Sequence, residues 1–251
     1  MRYVRLVRTF KNWWLYFFHK HGLVKANPLV FRCWSGVTVD VPLRLLPTFK
    51  EIWFENWYLR GLRRGIPQDA TIIDVGANAG FFTLLAASNF RNCRVLGFEP
   101  IPANFKQFAR NRELNPRFRI ECLNQAVAGS DGSIQLHYNP SDEFTTAATI
   151  NPACLPDLHQ PDVIDVSCIS LRTVFRDHDI ARCDLLKLDC EGAEFDILYH
   201  CPDDLLARID QIAMEVHASV EPRWNIADLQ EFLHAHQFQT HTRNALLWAW
   251  R

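Results

Sequence analysis

Several broad classes are excluded by what this chain lacks. It has no apolar run near the roughly 20 residues that a membrane-spanning helix needs. Its most apolar aromatic stretch is the short run Trp13-Trp14-Leu15-Tyr16-Phe17-Phe18. No small-residue cleavage pattern follows that run, as a secretory leader would require. There is no excess of one charge, since 27 Lys and Arg stand against 28 Asp and Glu. A net charge of -1 argues against nucleic acid as the main partner. The eight cysteines include no Cys-x-x-Cys pair and no zinc-ligand spacing. They read as reduced core residues of a cytoplasmic protein rather than a disulfide framework. No Gly-Lys-Ser/Thr triplet is present, so a Walker phosphate loop is excluded. Neither internal repeats nor low-complexity segments occur.

What is present begins with Thr71-Ile72-Ile73-Asp74-Val75-Gly76-Ala77-Asn78-Ala79-Gly80-Phe81-Phe82-Thr83. A short β-branched apolar stretch reads as a buried parallel strand. It ends in Asp74 and a glycine turn, then opens into an apolar helix. Arg94 to Pro100 reads as a second buried strand with Glu99 at its end. An acid about 20 residues past the glycines is where a ribose-binding carboxylate belongs. A dinucleotide fingerprint would place a glycine where Asn78 stands and would not follow Gly80 with bulky Phe81. Asp74 would repel a pyrophosphate but suits the cationic amino group of S-adenosylmethionine. The residues therefore favour S-adenosylmethionine over NAD or FAD, with a purely structural glycine turn as the third reading. Asn78, Gly80 and Phe81 join Asp74, Gly76 and Glu99 as candidate cofactor-binding residues. Asn124 and Gln125, at the end of the third predicted strand, are placed either to bond an adenine edge or to cap a turn.

Strand and helix alternate regularly from residue 71. Strands are expected at 71–76, 94–99, 120–127, 184–189 and 211–217, and helices at 79–88, 102–114 and 226–236. This alternation implies a parallel sheet with helices on both faces. Extra strands are expected at 133–138 and 163–169. The polar, proline-containing stretch 139–162 between them is a candidate lid over the substrate. Residues 238–242 and 245–250 fit a closing hairpin. Upstream, residues 29–34 and 37–41 read as a hairpin around Ser35-Gly36, and 49–59 as an amphipathic helix. Residues 1 to about 26 carry Arg2, Arg5, Arg8, Lys11, Lys20 and Lys25 and no acid. They read as a basic amphipathic helix that packs its aromatics on the catalytic domain or lies on an anionic membrane surface. The expected division is an N-terminal basic, aromatic segment over 1–45 and a catalytic domain over 46–251.

In a sheet covered on both faces, strand interiors should be apolar. Lys187 and Asp189 break that rule on one face of the fourth strand, and Glu191 follows just beyond. Glu215 and His217 share a face at the end of the fifth. Ligands bind at the carboxyl ends of parallel strands, so these groups should converge with Asp74 and Glu99 on one rim. Either Asp189 or His217 could remove a proton from an acceptor. Alternatively, Asp189, Glu215 and His217 could hold a divalent cation, or Lys187 could pair with Asp189 or Glu191 only to support the sheet end. Direct acid-base chemistry without a metal is the favoured reading. Cys190 is not needed as a nucleophile for transfer from a sulfonium.

Asp74–Thr83 resembles the first motif of the FkbM-type methyltransferases. Glu99-Pro100-Ile101-Pro102-Ala103-Asn104-Phe105, Ala126-Val127-Ala128-Gly129, Leu186–Glu194 and Glu215-Val216-His217 are similar to that family's later blocks. The resemblance covers roughly residues 45 to 220. It implies a Rossmann-like class I methyltransferase fold, with a mostly parallel seven-stranded sheet, helices on both faces and a C-terminal antiparallel edge hairpin. It also implies S-adenosylmethionine as cofactor and, most often, O-methylation of sugars, polyketides or similar small molecules. The competing functions are a nicotinamide-dependent oxidoreductase and a non-catalytic S-adenosylmethionine-binding protein.

Overall fold

The computed structural model describes residues 2–150, 161–217, 219 and 221–251. The chain opens with helices α1 (Arg2–Thr9) and α2 (Trp14–Lys20), then the antiparallel strands β1 (Leu29–Arg32) and β2 (Thr38–Val41). The expected single N-terminal helix is broken. Phe10 leaves α1 to bridge Cys33 of the hairpin, and the Lys11 amide donates to the Arg32 carbonyl. Next, α3 (Leu46–Lys50) runs into a π turn over Glu51–Glu55, which stops at Asn56 in the left-handed region (φ 57°). The sequence places this helix at 49–59; it begins earlier because Pro47 suits a first turn, and ends earlier at Asn56. Phe10 packs on Phe31, Phe49 and Trp53, with ring centroids 5.2, 5.7 and 5.1 Å apart. Phe49 in turn meets Phe81 at 5.6 Å. The N-terminal layer and the sheet-covering helix behind it thus share one apolar core.

The following elements alternate as the sequence implies. They are β3 (Thr71–Val75), α4 (Phe81–Asn89), β4 (Arg94–Phe98), α5 (Pro102–Glu113) and β5 (Arg119–Leu123). Then come β6 (Ala126–Ala128), β7 (Gly132–Tyr138), β8 (Asp162–Ser170), α6 (Leu171–Asp177), β9 (Leu185–Leu188), α7 (Glu194–Tyr199), α8 (Asp203–Leu206), β10 (Gln211–Glu215), α9 (Ile226–Ala235), β11 (Gln239–Arg243) and β12 (Leu246–Trp250). The main sheet has seven strands in the order β11-β12-β10-β9-β3-β4-β5. Its β5, β4, β3, β9 and β10 run parallel, while β12 is antiparallel to both β10 and β11. That is the expected class I architecture with its edge hairpin. The strand order reverses direction of growth between β3 and β9, so the crevice beyond their carboxyl ends is where a ligand belongs.

The expected third strand over 120–127 is two strands. The chain leaves the main sheet after Leu123, and Asn124-Gln125 turns it into β6. There β6 pairs parallel with β8, which pairs antiparallel with β7, giving a separate three-stranded sheet. This small sheet stands against one end of the crevice.

A second device, on α5, ties the glycine turn to the N-terminal hairpin. Asn104, Gln107 and Asn111 are buried polar residues on one face of α5, and Asn115 continues the stripe just past its end. Asn111 Oδ1 accepts from the Asp40 amide at 2.8 Å, and its Nδ2 donates to the Ala79 carbonyl at 2.8 Å. Asn115 Oδ1 accepts from the Thr38 amide, and its Nδ2 donates to the Thr38 carbonyl. Side-chain amides thereby pair the open edge of β2 as a neighbouring strand would, leaving no bare edge there. Asp40, buried beside them, is held by Arg110 at 2.7 Å.

Candidate active site

The carboxyl ends of β3, β4 and β9 open on a cavity of about 910 Å³, counted out to its mouth. Its floor is the turn after β3. Gly76 adopts φ 70° and Gly80 φ 78°, both in the left-handed region that favours glycine. A Cβ on Gly76 would stand 1.8 Å from the Asp189 carbonyl oxygen, so only glycine lets the ends of β3 and β9 touch. A Cβ on Gly80 would meet the Phe108 ring at 2.2 Å, so this second glycine serves the packing of α4 on α5. Asn78 (φ 51°) holds a left-handed conformation without being glycine, one of two such residues in the lining. The other is Glu191 (φ 52°). Non-glycine residues kept in this region are strained, and such strain clusters at functional sites.

Glu99 caps β4 and is almost wholly buried. Its Oε2 accepts from the Asn78 amide at 2.8 Å and its Oε1 from the Ile101 amide at 2.9 Å. Burial pushes its carboxyl up to about 7 against the opposing pull of those two amides. Asn78 Nδ2 and Asn104 Nδ2 both donate to the Thr145 carbonyl, at 3.2 and 2.7 Å. Those bonds fasten residues 139–150 of the candidate lid across this end of the cavity, where Thr145, Thr146, Ala148 and Ile150 line it. Residues 151–160 of the candidate lid lie outside the described residues. Ile101, Ala126, Val127, Ile134 and Leu136 make this end apolar.

The opposite end is ionic. Lys187 is 2% exposed and lies between two carboxylates, 3.0 Å from Asp74 Oδ1 and 3.6 Å from Asp189 Oδ2. It also donates to the carbonyls of Gly76 and Val75, at 2.7 and 3.2 Å. Burial alone would lower the lysine, but Asp74 and Asp189 outweigh it and hold it above its ordinary value. Asp189 accepts from the Tyr58 hydroxyl at 2.8 Å. Glu191 is pushed up to about 7, chiefly by burial and further by Asp189 and Glu194, with His217 pulling the other way. Thr149 donates to the Glu191 carbonyl at 2.9 Å and ties residues 139–150 to this end.

His217 sits behind these acids. Its Nδ1 is 2.8 Å from Glu194 Oε1, and its Nε2 is 3.5 Å from Glu191 and 3.9 Å from Asp189. Burial lowers an imidazole, but the Glu194 hydrogen bond and the surrounding carboxylates prevail and raise it to about 10. At neutral pH it is an imidazolium, which gives protons rather than taking them. Asp189, Glu215 and His217 can each bring one ligand atom within 4.8 Å of the others. A cation there would have to displace the imidazolium proton. Cys190 is a thiol held well above its ordinary value, first by burial and then by Glu194 and Asp189, which agrees with its having no nucleophilic role.

Of the residues singled out in the sequence, Gly76, Asn78, Phe81, Glu99, Lys187, Asp189 and Glu191 line the cavity. His217 touches its acids from outside the lining. Asp74 is fully buried, with Thr83 Oγ1 donating to Oδ2 at 2.7 Å and Lys187 on Oδ1, so it faces protein rather than the cavity. Asn124 donates to the carbonyls of Glu99 and Pro100, holding the turn between sheets. Gln125 is half-buried and outside the lining. Sequence reasoning did not single out Tyr58 or Glu194. Glu194 is fully buried and accepts from the Cys190 and Gly192 amides, both at 3.0 Å, as well as meeting His217. It was within reach of the sequence as a third acid beside Asp189 and Glu191, whereas Tyr58 gave no local signal.

A family profile described as "Methyltransferase FkbM domain" matches residues 74–240. The chain belongs to the FkbM methyltransferase family. "Methyltransferase 1" of Beauveria bassiana is 29% identical over 167 residues, covering 60% of this chain and 66% of that one. "31-O-demethyl-FK506 methyltransferase FkbM" of Streptomyces tacrolimicus is 29% identical over 196 residues, covering 67% of this chain and 73% of that one. The match with the first relative therefore spans a little under two thirds of its length. The crystal structure of an FkbM methyltransferase from Methylobacillus flagellatus superposes with a TM-score of 0.55 at 13% identity, over 82% of this chain and 54% of that one. At that identity it shows a shared fold.

Proposed function

We propose that this protein binds S-adenosylmethionine in the cavity and transfers its methyl group to a hydroxyl of a sugar, glycan or other small molecule. The observation that carries this reading is Glu99, presented to the cavity by the Asn78 and Ile101 amides at the end opposite Asp189 and Glu191. A carboxylate held in that way can accept both hydroxyls of a ribose. The apolar end suits the adenine, and the Gly76–Asn78 backbone lies where the aminoacyl part of the cofactor would run. The cofactor supplies the electrophilic methyl. Methyl transfer then needs little more than alignment and removal of one proton. Glu191, which lines the cavity beside a cationic His217, takes that proton as the acceptor hydroxyl attacks. Asp189, steadied by Tyr58 and Lys187, orients the acceptor hydroxyl. Lys187 holds the glycine turn by its carbonyls. The name of the Streptomyces relative, an O-methylating enzyme, supports a hydroxyl acceptor.

The test is calorimetric binding of S-adenosylhomocysteine, followed by transfer of labelled methyl from S-adenosylmethionine to a panel of hydroxylated acceptors. Glu99→Gln should weaken S-adenosylhomocysteine binding about tenfold or more. Wild-type affinity in that variant, or tighter binding of a nicotinamide dinucleotide, would refute the reading.

A further inference from the structure

The N-terminal layer carries two unlike surfaces. Leu6, Phe10 and Tyr16 face inward and are buried. On the outside lie Tyr3, Val4, Val7, Trp13, Trp14 and Phe18, all more than a third exposed, and Leu23 and Trp34 are more exposed still at 72% and 64%. Of the eleven large hydrophobic residues exposed among the described ones, these eight fall in the first 34. Soluble surfaces scatter such residues singly, and a concentration of them marks an interaction site.

Charge identifies the partner. Residues 1–39 hold seven of the 27 Lys and Arg and none of the 28 Asp and Glu. The other 212 residues carry 20 cations against 28 acids, a formal charge of -8. The cationic excess therefore lies wholly in the segment that also carries the exposed aromatics. The two features are interleaved: Lys11 Nζ lies 5.7 Å from the Trp34 ring centre and Lys20 Nζ 5.9 Å from that of Tyr3. Arg8, Lys11 and Lys20 are exposed. Tryptophan and tyrosine beside Lys and Arg are the residues that settle at the headgroup level of a bilayer. A nucleic acid would use the cations but has no use for Val4, Val7 and Leu23. A second copy of this chain would bring one cationic face against another.

We infer that this face docks the protein on an anionic lipid surface. The -8 remainder of the chain would be repelled by the same surface, so the attraction also sets the orientation. Because α3 and the π turn that continues it pack Phe49 and Trp53 beneath this layer, and α3 offers Thr48 to the cavity, the docked layer and the cavity are braced by one short helical segment.

The test is co-sedimentation of the full chain with vesicles of phosphatidylcholine, with and without phosphatidylglycerol. Binding is expected only to the anionic vesicles, with a blue shift of tryptophan emission and release by salt. Replacing Arg8, Lys11 and Lys20 by glutamine should lower partitioning on the order of a hundredfold, about fivefold per cation. Trp14→Ser with Phe18→Ser and Trp34→Ser should abolish the emission shift while circular dichroism stays that of the wild type. Equal binding to neutral vesicles, or none to anionic ones at low salt, would overturn the inference. So would tighter binding to duplex DNA, or self-association that the aromatic triple variant abolishes.

Discussion

Lys187 Nζ lies 3.0 Å from Asp74 Oδ1 with both side chains buried, and the ion pair stands directly beneath the glycine turn. Breaking a buried pair leaves a charge uncompensated, at about 3–5 kcal/mol. Lys187→Met should lose that much stability in a denaturant titration. Asp74→Asn added to it should restore a large part. A single variant as stable as the wild type would show that the pair does not support the sheet end.

Ligand affinity should depend on pH through Glu99. Its folded value, about 7, lies above the ordinary 4.5, so burying the ionised form costs stability as pH rises between those values. The ionised form is also the one that can accept both ribose hydroxyls. Affinity for S-adenosylhomocysteine should therefore rise with pH through about 7, and Glu99→Gln should be flat over that range. Calorimetry at several pH values checks both, and an unchanged slope in the variant would move the effect to another group.

His217 acts in the same direction over a higher pH range. Its folded value is raised from 6.5 to about 10, so its stabilisation is complete below 6.5 and lost as pH rises through about 10. His217→Gln should flatten the alkaline loss of stability. The imidazolium also pulls Glu191 down. In the same variant the acid limb of the methyl-transfer rate should move to higher pH. A limb that disappears instead would make His217 the base.

Glu191→Gln keeps size and most hydrogen-bonding geometry while removing the charge. Turnover should fall roughly 10²–10⁴-fold with S-adenosylhomocysteine affinity nearly unchanged. EDTA should leave the wild-type rate alone, because a cation at Asp189, Glu215 and His217 would compete with the imidazolium proton. Inactivation by EDTA that Mg²⁺ or Mn²⁺ reverses would assign those three residues to a metal.

The inner face of the N-terminal layer should matter to folding rather than to docking. Phe10→Ala removes a fully buried ring from among Phe31, Phe49 and Trp53, which should cost about 3–5 kcal/mol. Removing residues 1–26 should leave those rings uncovered and the protein prone to aggregation, as light scattering would report. A truncated protein with the wild-type melting temperature would contradict this.

The strand-turn-helix at 71–89 and the closing hairpin were legible because each is written locally, in an apolar run punctuated by glycine or asparagine. Of the two partners of Lys187, Asp189 was legible and the nearer one, Asp74, was not. Sequence reasoning offered Asp189 or Glu191, its neighbours along the chain. Yet β3 and β9 lie side by side with Asp74 opposite Lys187, and that register follows from strand order, which no local pattern encodes. The charge of His217 was hidden for a related reason. Its ordinary value suits a base, but Glu194, 23 residues away, holds it as a cation. The polar stripe on α5 was readable in spacing, at 104, 107, 111 and 115. Its use, bonding the edge of β2, depended on a hairpin some 70 residues upstream. The break at Phe10 likewise reflects a tertiary bridge to Cys33 that overrides helical periodicity.

The absent side chain of Gly76 has a thermodynamic consequence. Because its backbone abuts the Asp189 carbonyl, the glycine turn after β3 and the acid after β9 form one mechanical joint. A ligand that stiffens the turn narrows the positions open to Asp189, and a ligand that engages Asp189 stiffens the turn. Each is then an effector of the other, and the factor by which the first tightens the second must equal the factor by which the second tightens the first.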